Sequence, residues 1–208
     1  GSVGITKVNA KKQLTKAFIN AQKYSISKKV IIEEYINGTE VSIEAISQNK
    51  KHEIIAITDK VTTGPPNFVE LEHHQPSQIN YNIKKKIDKI IPHALNVLKI
   101  ENGASHSEFI IKSNGEIYIN EIGARMGGDF IGSNLVKLST GFDYIEAVIC
   151  VSLGETIRTT SMLNLCSGVI YKNDSNAEEF DLLEGSELFI YTIEKELVAK
   201  PEIKESTD

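Results

Sequence analysis

His106-Ser-Glu-Phe-Ile-Ile-Lys-Ser-Asn114-Gly115-Glu-Ile-Tyr-Ile-Asn-Glu121 is the stretch of sequence that decides the fold. Asn-Gly between two apolar, β-branched runs predicts a β-hairpin with a two-residue turn. Counting outward from that turn places Glu108 directly opposite Glu121. Like charges in this position repel by roughly 4 kcal/mol at about 4 Å and an effective dielectric near 20. The folded protein therefore needs a cation, a shared proton or access to water at this pair.

A bound cation is the interpretation that we favour for the two glutamates. Mg²⁺ suits two carboxylates on a rigid hairpin, because it completes its octahedron with waters and substrate phosphates; Mn²⁺ is an alternative ion. A pair at a wet, frayed hairpin end would need no metal, and this alternative stays open. A zinc site that joins His106 to His73 or His74 also stays open, although the spacing matches no standard zinc pattern.

The segment after the hairpin, Ile122-Gly-Ala-Arg125-Met-Gly-Gly-Asp129, combines an arginine with three glycines. The planar guanidinium of Arg125 suits a phosphate or a carboxylate and could stabilise charge on a transferring phosphoryl group. Glycines would let the backbone approach a ligand closely. A surface arginine on a flexible loop is the alternative. Gly1-Ser2-Val3-Gly4 could wrap phosphates with backbone N–H groups, but it lacks the ending of a P-loop.

The rest of the chain predicts a mixture of helices and strands. Apolar periodicity predicts helices at 9–24, 83–100, 131–138 and 143–153. Asn9 is expected to cap the first, and Pro92 is expected to kink or split the second. Alternating or apolar runs predict strands at 30–36, 39–47, 52–61, 163–171 and 187–193. Residues 62–78, with Gly64-Pro65-Pro66, predict a long functional loop. This pattern indicates an α+β protein.

Composition indicates a globular protein without a general affinity for polyanions. The chain has 208 residues, of which 40% are hydrophobic and 25% charged, and its net charge is −5. This charge does not favour binding to nucleic acid or to an anionic membrane. Cys150 and Cys166 predict two buried thiols in a reducing cytoplasm. No apolar run is long enough to span a membrane. Because the chain lacks an initiator Met, we expect it to be part of a longer protein.

Taken in order, these motifs resemble those of ATP-grasp enzymes over roughly residues 1–155. The order is Gly-Ser-x-Gly, Glu33-Glu-Tyr-Ile36, Gly38-x-Glu-Val-Ser42, His106-x-Glu-Phe109 and Asn120-Glu-Ile-Gly-x-Arg-x-Gly-Gly-Asp129. The last motif is the most specific, and it is similar to the carboxylate–amine ligase branch, which includes L-amino-acid ligases and carbamoyl-phosphate-synthase-like relatives. The resemblance implies an α+β ATP-grasp fold, present here in part, in which two subdomains with antiparallel sheets grip the nucleotide.

The resemblance also implies an activity. ATP would phosphorylate a small-molecule carboxylate, and an amine would attack the acyl phosphate to form an amide or peptide-type bond. The implied cofactors are ATP and Mg²⁺, and the substrates could be amino acids. Together with the cysteines and the net charge, this predicts a cytoplasmic enzyme without nucleic-acid or membrane partners. Its oligomeric state, a dimer included, stays open. The alternative is a non-catalytic nucleotide- or peptide-binding relative.

Roles for individual residues follow from the same resemblance. Glu108 and Glu121 would hold Mg²⁺, and Arg125 and Lys60 would be catalytic. The nucleotide side would comprise Gly1, Ser2, Val3 and Gly4 over the phosphates, Glu33, Glu34, Tyr35 and Ile36 at the adenine, and Glu40 near the ribose. The substrate side would comprise His73, His106, Gly127, Gly128 and Asp129. Many ATP-grasp enzymes carry Asn where this chain has Gly123, which puts a third protein ligand in doubt.

Three regions are expected along the chain. Residues 1–36 would form part of the small lid subdomain. Residues 37–156 would form the core with the metal and phosphate site, and residues 157–208 would form a truncated, β-rich end of the same core.

Overall fold

Six antiparallel strands form one sheet in the order β5-β4-β1-β2-β3-β6. The computed structural model describes residues 3–65, 68–157 and 162–171, all within the compact unit Gly1–Tyr171. The strands are β1 (Thr39–Gln48), β2 (Lys51–Thr62), β3 (Glu70–Gln75), β4 (Gly103–Ile111), β5 (Ile117–Gly123) and β6 (Ser167–Ile170). The expected α+β class with an antiparallel sheet is confirmed. The strand predicted at 187–193 lies outside the described residues.

In the part of the chain that the structure describes, four α-helices accompany the sheet. They are α1 (Leu14–Tyr24), α2 (Tyr81–Val97), α3 (Val136–Thr140) and α4 (Tyr144–Ser152), with a 3₁₀ turn at Lys11–Gln13 and a π-helical turn at Ile131–Leu135. Asn9 does not cap the first of them, because Gln13 Oε1 accepts the backbone N–H groups of Asn9 and Ala10. None of the helices in the described ranges is long and apolar enough to cross a membrane.

Helix α2 covers the apolar face of the sheet. Val41 and Phe109 lie opposite each other on neighbouring strands, and both are fully buried beneath this helix. Ile87 and Ile91 of α2 are also fully buried. This stripe of buried side chains continues on both sides of Pro92, and the helix is one element. Of the two predicted effects of Pro92, a kink or a split, the split does not occur.

The opposite face of the sheet, called the polar face below, carries most of the ionisable side chains. Pleating places Glu40, Ser42 and Glu44 of β1 on this face. Their partners on β2 and β4 are Lys60, Thr58, Ala56, Ile110, Glu108 and His106. One end of the face is apolar and packs beneath Val136, Tyr144 and Val151 of α3 and α4. The charged part beyond that end is the candidate site.

The turn of the hairpin differs from the prediction, yet the two glutamates still meet. Lys112 N–H donates to Glu116 O and Gly115 N–H donates to Lys112 O, both at 2.9 Å, so the loop has three residues and not two. Gly115 supplies the left-handed conformation that such a loop needs, with φ of 79°. This shifts the register by one residue. A bulge beside Glu108 shifts it back, and Glu108 faces Glu121.

Three further predictions were wrong. Residues 30–36 form no strand, because no described residue pairs with them, and Ile31 is 79% exposed. The predicted loop 62–78 contains β3, which lacks apolar alternation because its buried side chains lie on the polar face. Cys150 is partly exposed and Cys166 is exposed, so neither thiol occupies a buried position, although apolar residues flank both in the sequence.

Candidate functional site

Glu108 is surrounded by cations that the chain itself supplies. Lys60 Nζ lies 2.7 Å from Glu108 Oε1, and His106 Nε2 lies 3.3 Å from the same oxygen. Contact with His106, followed by the charge of Lys60, outweighs burial and lowers the pKa of Glu108 to about 2. Glu108 is therefore ionised at neutral pH, as a metal ligand must be.

Lys60 joins three carboxylates. Its Nζ lies 2.8 Å from Glu40 Oε1 and 2.9 Å from Glu70 Oε1, in addition to its contact with Glu108. Burial disfavours the ammonium group, but Glu40 and Glu108 outweigh burial and raise the pKa of Lys60 above its ordinary value. A lysine has three N–H donors, which matches the number of carboxylates around it. Strands β1, β2, β3 and β4 thus meet at one cation.

His106 lies buried between Glu44 and Glu108. Its Nδ1 contacts Glu44 Oε1, and its Nε2 faces Glu108. Burial favours the neutral ring, but the two carboxylates raise the pKa of His106 to about 9. A charged imidazole donates from both nitrogens and has no lone pair for zinc. The described ranges contain no group of three or more His, Cys, Asp or Glu side chains that could hold a metal ion, so they do not support the zinc alternative.

Glu44 also fixes the glycine-rich loop to the polar face. Its side chain is fully buried, and its Oε2 accepts the Gly127 N–H at 2.9 Å. A Cβ at Gly127 would lie 2.5 Å from Glu44 Oε1 and 2.8 Å from His106 Nδ1. Only glycine fits so close an approach. Gly128, by contrast, has no heavy atom within 4 Å of the position of its Cβ.

Glu70 links Lys60 to His73 at the other end of the site. His73 Nε2 lies 3.2 Å from Glu70 Oε2, and contact with His73, followed by the charge of Lys60, lowers the pKa of Glu70 to about 2. His73 is fully buried, and its ring meets the Tyr171 ring edge-on at 5.6 Å. The Tyr171 hydroxyl donates to Asp129 O at 3.0 Å. Contacts thus connect His73 and Asp129 to Lys60.

The Glu108–Glu121 pair retains free oxygen ligands. Among the described residues, Glu108 Oε2 has only a 3.5 Å contact with Asn120 Nδ2, and Glu121 is exposed. Within the described part of the chain, the side chain of Glu121 makes no hydrogen bond or ion pair. One or two carboxylates that leave room for waters and phosphates form a donor set that fits Mg²⁺. Lys60 and His106 bind the other oxygen of Glu108, as neighbours that orient a metal ligand do.

Arg125 folds back over Gly123. Its Nη1 donates to Met126 O at 2.8 Å, and a Cβ at Gly123 would lie 3.4 Å from Arg125 Cγ. Arg125 therefore occupies space beside the position where many ATP-grasp enzymes carry Asn. Its other N–H donors bind no residue of the described ranges and face solvent, so an anionic ligand could reach them.

The predicted nucleotide-side residues are not connected to this network by any contact among the described residues, with the exception of Glu40. Gly1 and Ser2 lie outside the described ranges. Gly4 lies against Tyr24 of α1, and Val3 is exposed. Tyr35 is 43% exposed beneath the ammonium group of Lys7, at 3.6 Å from the ring centre. The neighbours of Tyr35 in the predicted adenine segment are exposed or half-buried: Glu33, Glu34 and Ile36.

Sequence reasoning missed Glu44, Glu70 and Tyr171. The alternation of β1 places Glu44 on the same face as Glu40, and this signal could have identified it. Glu70 lay inside a segment that was predicted to be a loop, and Tyr171 follows a short edge strand, so neither had a usable local signal.

The sequence matches a protein-family model and two curated proteins. The family model for the ATP-grasp domain matches residues 1–133. The D-alanine–D-alanine ligase of Flavobacterium johnsoniae is 32% identical over 127 residues, which cover 58% of this chain and 38% of that protein. The D-alanine–D-alanine ligase of Acetivibrio thermocellus is 28% identical over 138 residues, which cover 61% of this chain and 35% of that protein.

Solved structures give the same result. The L-amino acid ligase from Bacillus licheniformis aligns with a TM-score of 0.62 at 28% identity, covering 69% of this chain and 35% of that one. The biotin carboxylase of Campylobacter jejuni, in a complex with β,γ-ATP, aligns with a TM-score of 0.70 at 20% identity, covering 81% and 38%. At 20% identity the likeness concerns the fold alone.

The chain spans little more than a third of the lengths of the curated relatives. The matched residues 1–133 make up more than half of the chain, and they include the acidic hairpin, Lys60 and Arg125. The resemblance to ATP-grasp enzymes and to their carboxylate–amine ligase branch is confirmed. With the motifs, the sheet and these matches in agreement, the chain belongs to the ATP-grasp family.

Proposed function

We propose that the protein is an ATP-dependent carboxylate–amine ligase that forms an amide or peptide-type bond through an acyl phosphate. The observation that carries this proposal is the pairing of Glu108 with Glu121, one short loop from Arg125. The names of its relatives support it, since they include two D-alanine–D-alanine ligases and an L-amino acid ligase. We therefore propose small-molecule carboxylates and amines, amino acids among them, as substrates.

The proposed metal is Mg²⁺, with Mn²⁺ as the alternative. Glu108 Oε2 and Glu121 would hold it, and when bound it supplies positive charge to the phosphates of ATP. Lys60 and His106 keep Glu108 ionised and oriented through its other oxygen. Gly123 offers no side-chain ligand, so waters would complete the coordination.

The other predicted residues keep their proposed roles. Arg125 would stabilise negative charge on the acyl phosphate and on the tetrahedral intermediate. Lys60, His73, His106 and the segment Gly127-Gly128-Asp129 would lie on the substrate side. The nucleotide would meet residues 1–4, 33–36 and Glu40.

The proposed organisation has residues 1–36 in the lid, residues 37–156 in the core and residues 157–208 in the end of the core. Free thiols at Cys150 and Cys166 suit a cytoplasmic location.

Calorimetric titration of the 208-residue chain with Mg²⁺ and a non-hydrolysable ATP analogue tests the proposed site. We expect binding by the wild type and by Glu116→Gln, which removes a carboxylate from the same hairpin away from the pair. Glu121→Gln should bind at least about tenfold more weakly, as losses at metal sites do. No binding at millimolar nucleotide, or an unchanged affinity in Glu121→Gln, would contradict the proposal.

Turnover distinguishes a ligase from a non-catalytic relative. Gly123 favours the second candidate, since it removes a potential ligand from the loop. With Mg·ATP and a mixture of amino acids, a ligase releases ADP and phosphate in step with a condensed product that mass spectrometry identifies. A protein that only binds nucleotide or peptide releases none.

A further inference from the structure

Lys60 fills a cage of three carboxylates, Glu40, Glu70 and Glu108. Its Nζ lies 2.8 Å, 2.9 Å and 2.7 Å from one oxygen of each. The carboxylates come from β1, β3 and β4 and the lysine comes from β2, so the register of the sheet fixes all four. The lysine side chain is 4% exposed, whereas the carboxylates are 19% to 31% exposed. The outer parts of the three carboxylates are therefore in contact with solvent.

With Lys60 in place, these carboxylates are not a group that could hold a metal ion. Without the ammonium group, three carboxylate oxygens would remain around one point, and such oxygens are ligands for a hard divalent cation. Ca²⁺ takes such oxygens at about 2.3–2.6 Å and Mg²⁺ at about 2.0–2.1 Å. Because the cage closes to 2.7–2.9 Å around the ammonium nitrogen, it needs less contraction for Ca²⁺ than for Mg²⁺.

Buried polar atoms without partners lie beside this cage. His73 is fully buried, and its Nδ1 has no hydrogen-bond partner in the described ranges. Its Nε2 lies 3.2 Å from Glu70 Oε2, on the Glu70 side of the cage. Ser42 Oγ, buried on the same face between Glu40 and Glu44, likewise lacks a partner there. The surroundings of the cage thus hold polar groups that the protein does not saturate.

We propose that Lys60 excludes free divalent cations from this cage, because its ammonium group occupies the position that a Ca²⁺-sized ion would take. Cation binding is then left to Glu108 Oε2 and Glu121. The binding of a cation by Glu108 Oε2 and Glu121 rests on the proposed function. The exclusion of cations from the cage does not, since it needs neither nucleotide nor catalysis. Lys60 thereby determines where a metal binds on an acidic surface.

Calcium binding by the 208-residue chain without nucleotide tests the proposal. Lys60→Met keeps the length of the side chain and removes the cation. In calorimetric titrations this variant should bind Ca²⁺ at least about tenfold more tightly than the wild type, because ligand charge sets Ca²⁺ affinity over orders of magnitude. It should also prefer Ca²⁺ to Mg²⁺. Lys137→Met removes a lysine that pairs with Asp143 at 2.6 Å, and this matched control should behave as the wild type.

The double variant Lys60→Met/Glu70→Gln removes one cage carboxylate, so it should lose the gain in Ca²⁺ affinity that Lys60→Met provides. An affinity of Lys60→Met within about threefold of the wild type overturns the proposal, as does a gain that persists in the double variant. If Lys60→Met is unfolded, circular dichroism during Ca²⁺ addition decides: folding supports the proposal, and an unfolded chain at about 10 mM Ca²⁺ overturns it. Failure to bind nucleotide would contradict the proposed function and leave the calcium result unaffected.

Discussion

Replacing Glu44 with Gln should destabilise the protein at pH 6 to 7 and have little effect above about pH 9, the pKa of His106. Glu44 is fully buried and accepts hydrogen bonds from His106 and from the Gly127 N–H. Gln has nearly the same shape and keeps an oxygen that can accept from Gly127. The substitution therefore removes mainly a charge beside a charged imidazole.

The size of the effect follows from the pKa of His106, which is raised from 6.5 to about 9. One pKa unit corresponds to about 1.4 kcal/mol, so the full shift contributes about 3 kcal/mol. Burial opposes the shift, and Glu108 and Glu44 produce it. A raised pKa gives stability that is fully present below the unfolded value and is lost as the pH rises through the folded value. Losing one of the two carboxylate partners of His106 should remove roughly half of this contribution to the free energy of unfolding, about 1–2 kcal/mol.

Urea denaturation at pH values near 6 and 9.5, with a chelator present, measures this difference. The matched control is Glu101→Gln, which breaks an exposed ion pair with Lys50 and should change stability by less than about 0.5 kcal/mol at both pH values. A loss of equal size at both pH values would mean that packing, and not the charge of His106, explains the effect. No loss near pH 6 would refute the raised pKa itself.

Three further variants test other contacts. Gly127→Ala should cost about 1–3 kcal/mol in urea denaturation because its Cβ would meet Glu44 and His106, while Gly128→Ala should be nearly neutral; equal effects would contradict the close approach. The pKa of Glu70 is lowered from 4.5 to about 2, so its stabilisation is present above pH 4.5 and is lost as the pH falls towards 2. The melting temperature of Glu70→Gln should therefore fall less steeply with decreasing pH than that of the wild type. An equally steep fall would contradict the lowered pKa of Glu70. Ile91→Ala, at a fully buried position of α2, should lower the free energy of unfolding in urea by about 2–5 kcal/mol. Its control is Val97→Ala in the same helix, where Val97 is 66% exposed and the loss should be less than about 0.5 kcal/mol.

The glutamate pair was predictable although the turn was not. Asn-Gly predicts a two-residue loop, whereas Gly115 ends a three-residue loop that shifts every subsequent pair by one. The bulge beside Glu108 compensates for this shift, so the two errors cancel at Glu121. A local motif can indicate a hairpin. The choice among turn lengths and bulges depends on how β4 pairs with β1, which lies about sixty residues earlier in the chain and is invisible to a local pattern.

The partner of Glu108 could not be predicted for the same reason. Alternation along β1 and β4 identifies which side chains share a face, but Lys60 lies 48 residues away from Glu108 in sequence. The contact requires β1 to lie between β2 and β4. The third carboxylate around Lys60, that of Glu70, comes from β3, whose sequence has no apolar period. Sequence therefore predicts the ligand types of the site and the face that carries them. Sheet order, which is a tertiary property, decides their pairing.

The buried and exposed parts of the site have separable functions. Lys60 and His106, the latter in contact with the fully buried Glu44, keep Glu108 ionised before any ligand arrives. Glu121 and Arg125, by contrast, are exposed and have few protein partners among the described residues. Preorganised charges of this kind need little rearrangement when a ligand binds. Substitutions in the buried part should therefore change stability and its pH dependence. Glu121→Gln, which breaks no contact among the described residues, should weaken nucleotide binding without lowering stability. If both classes of variant changed both properties equally, the site could not be divided in this way.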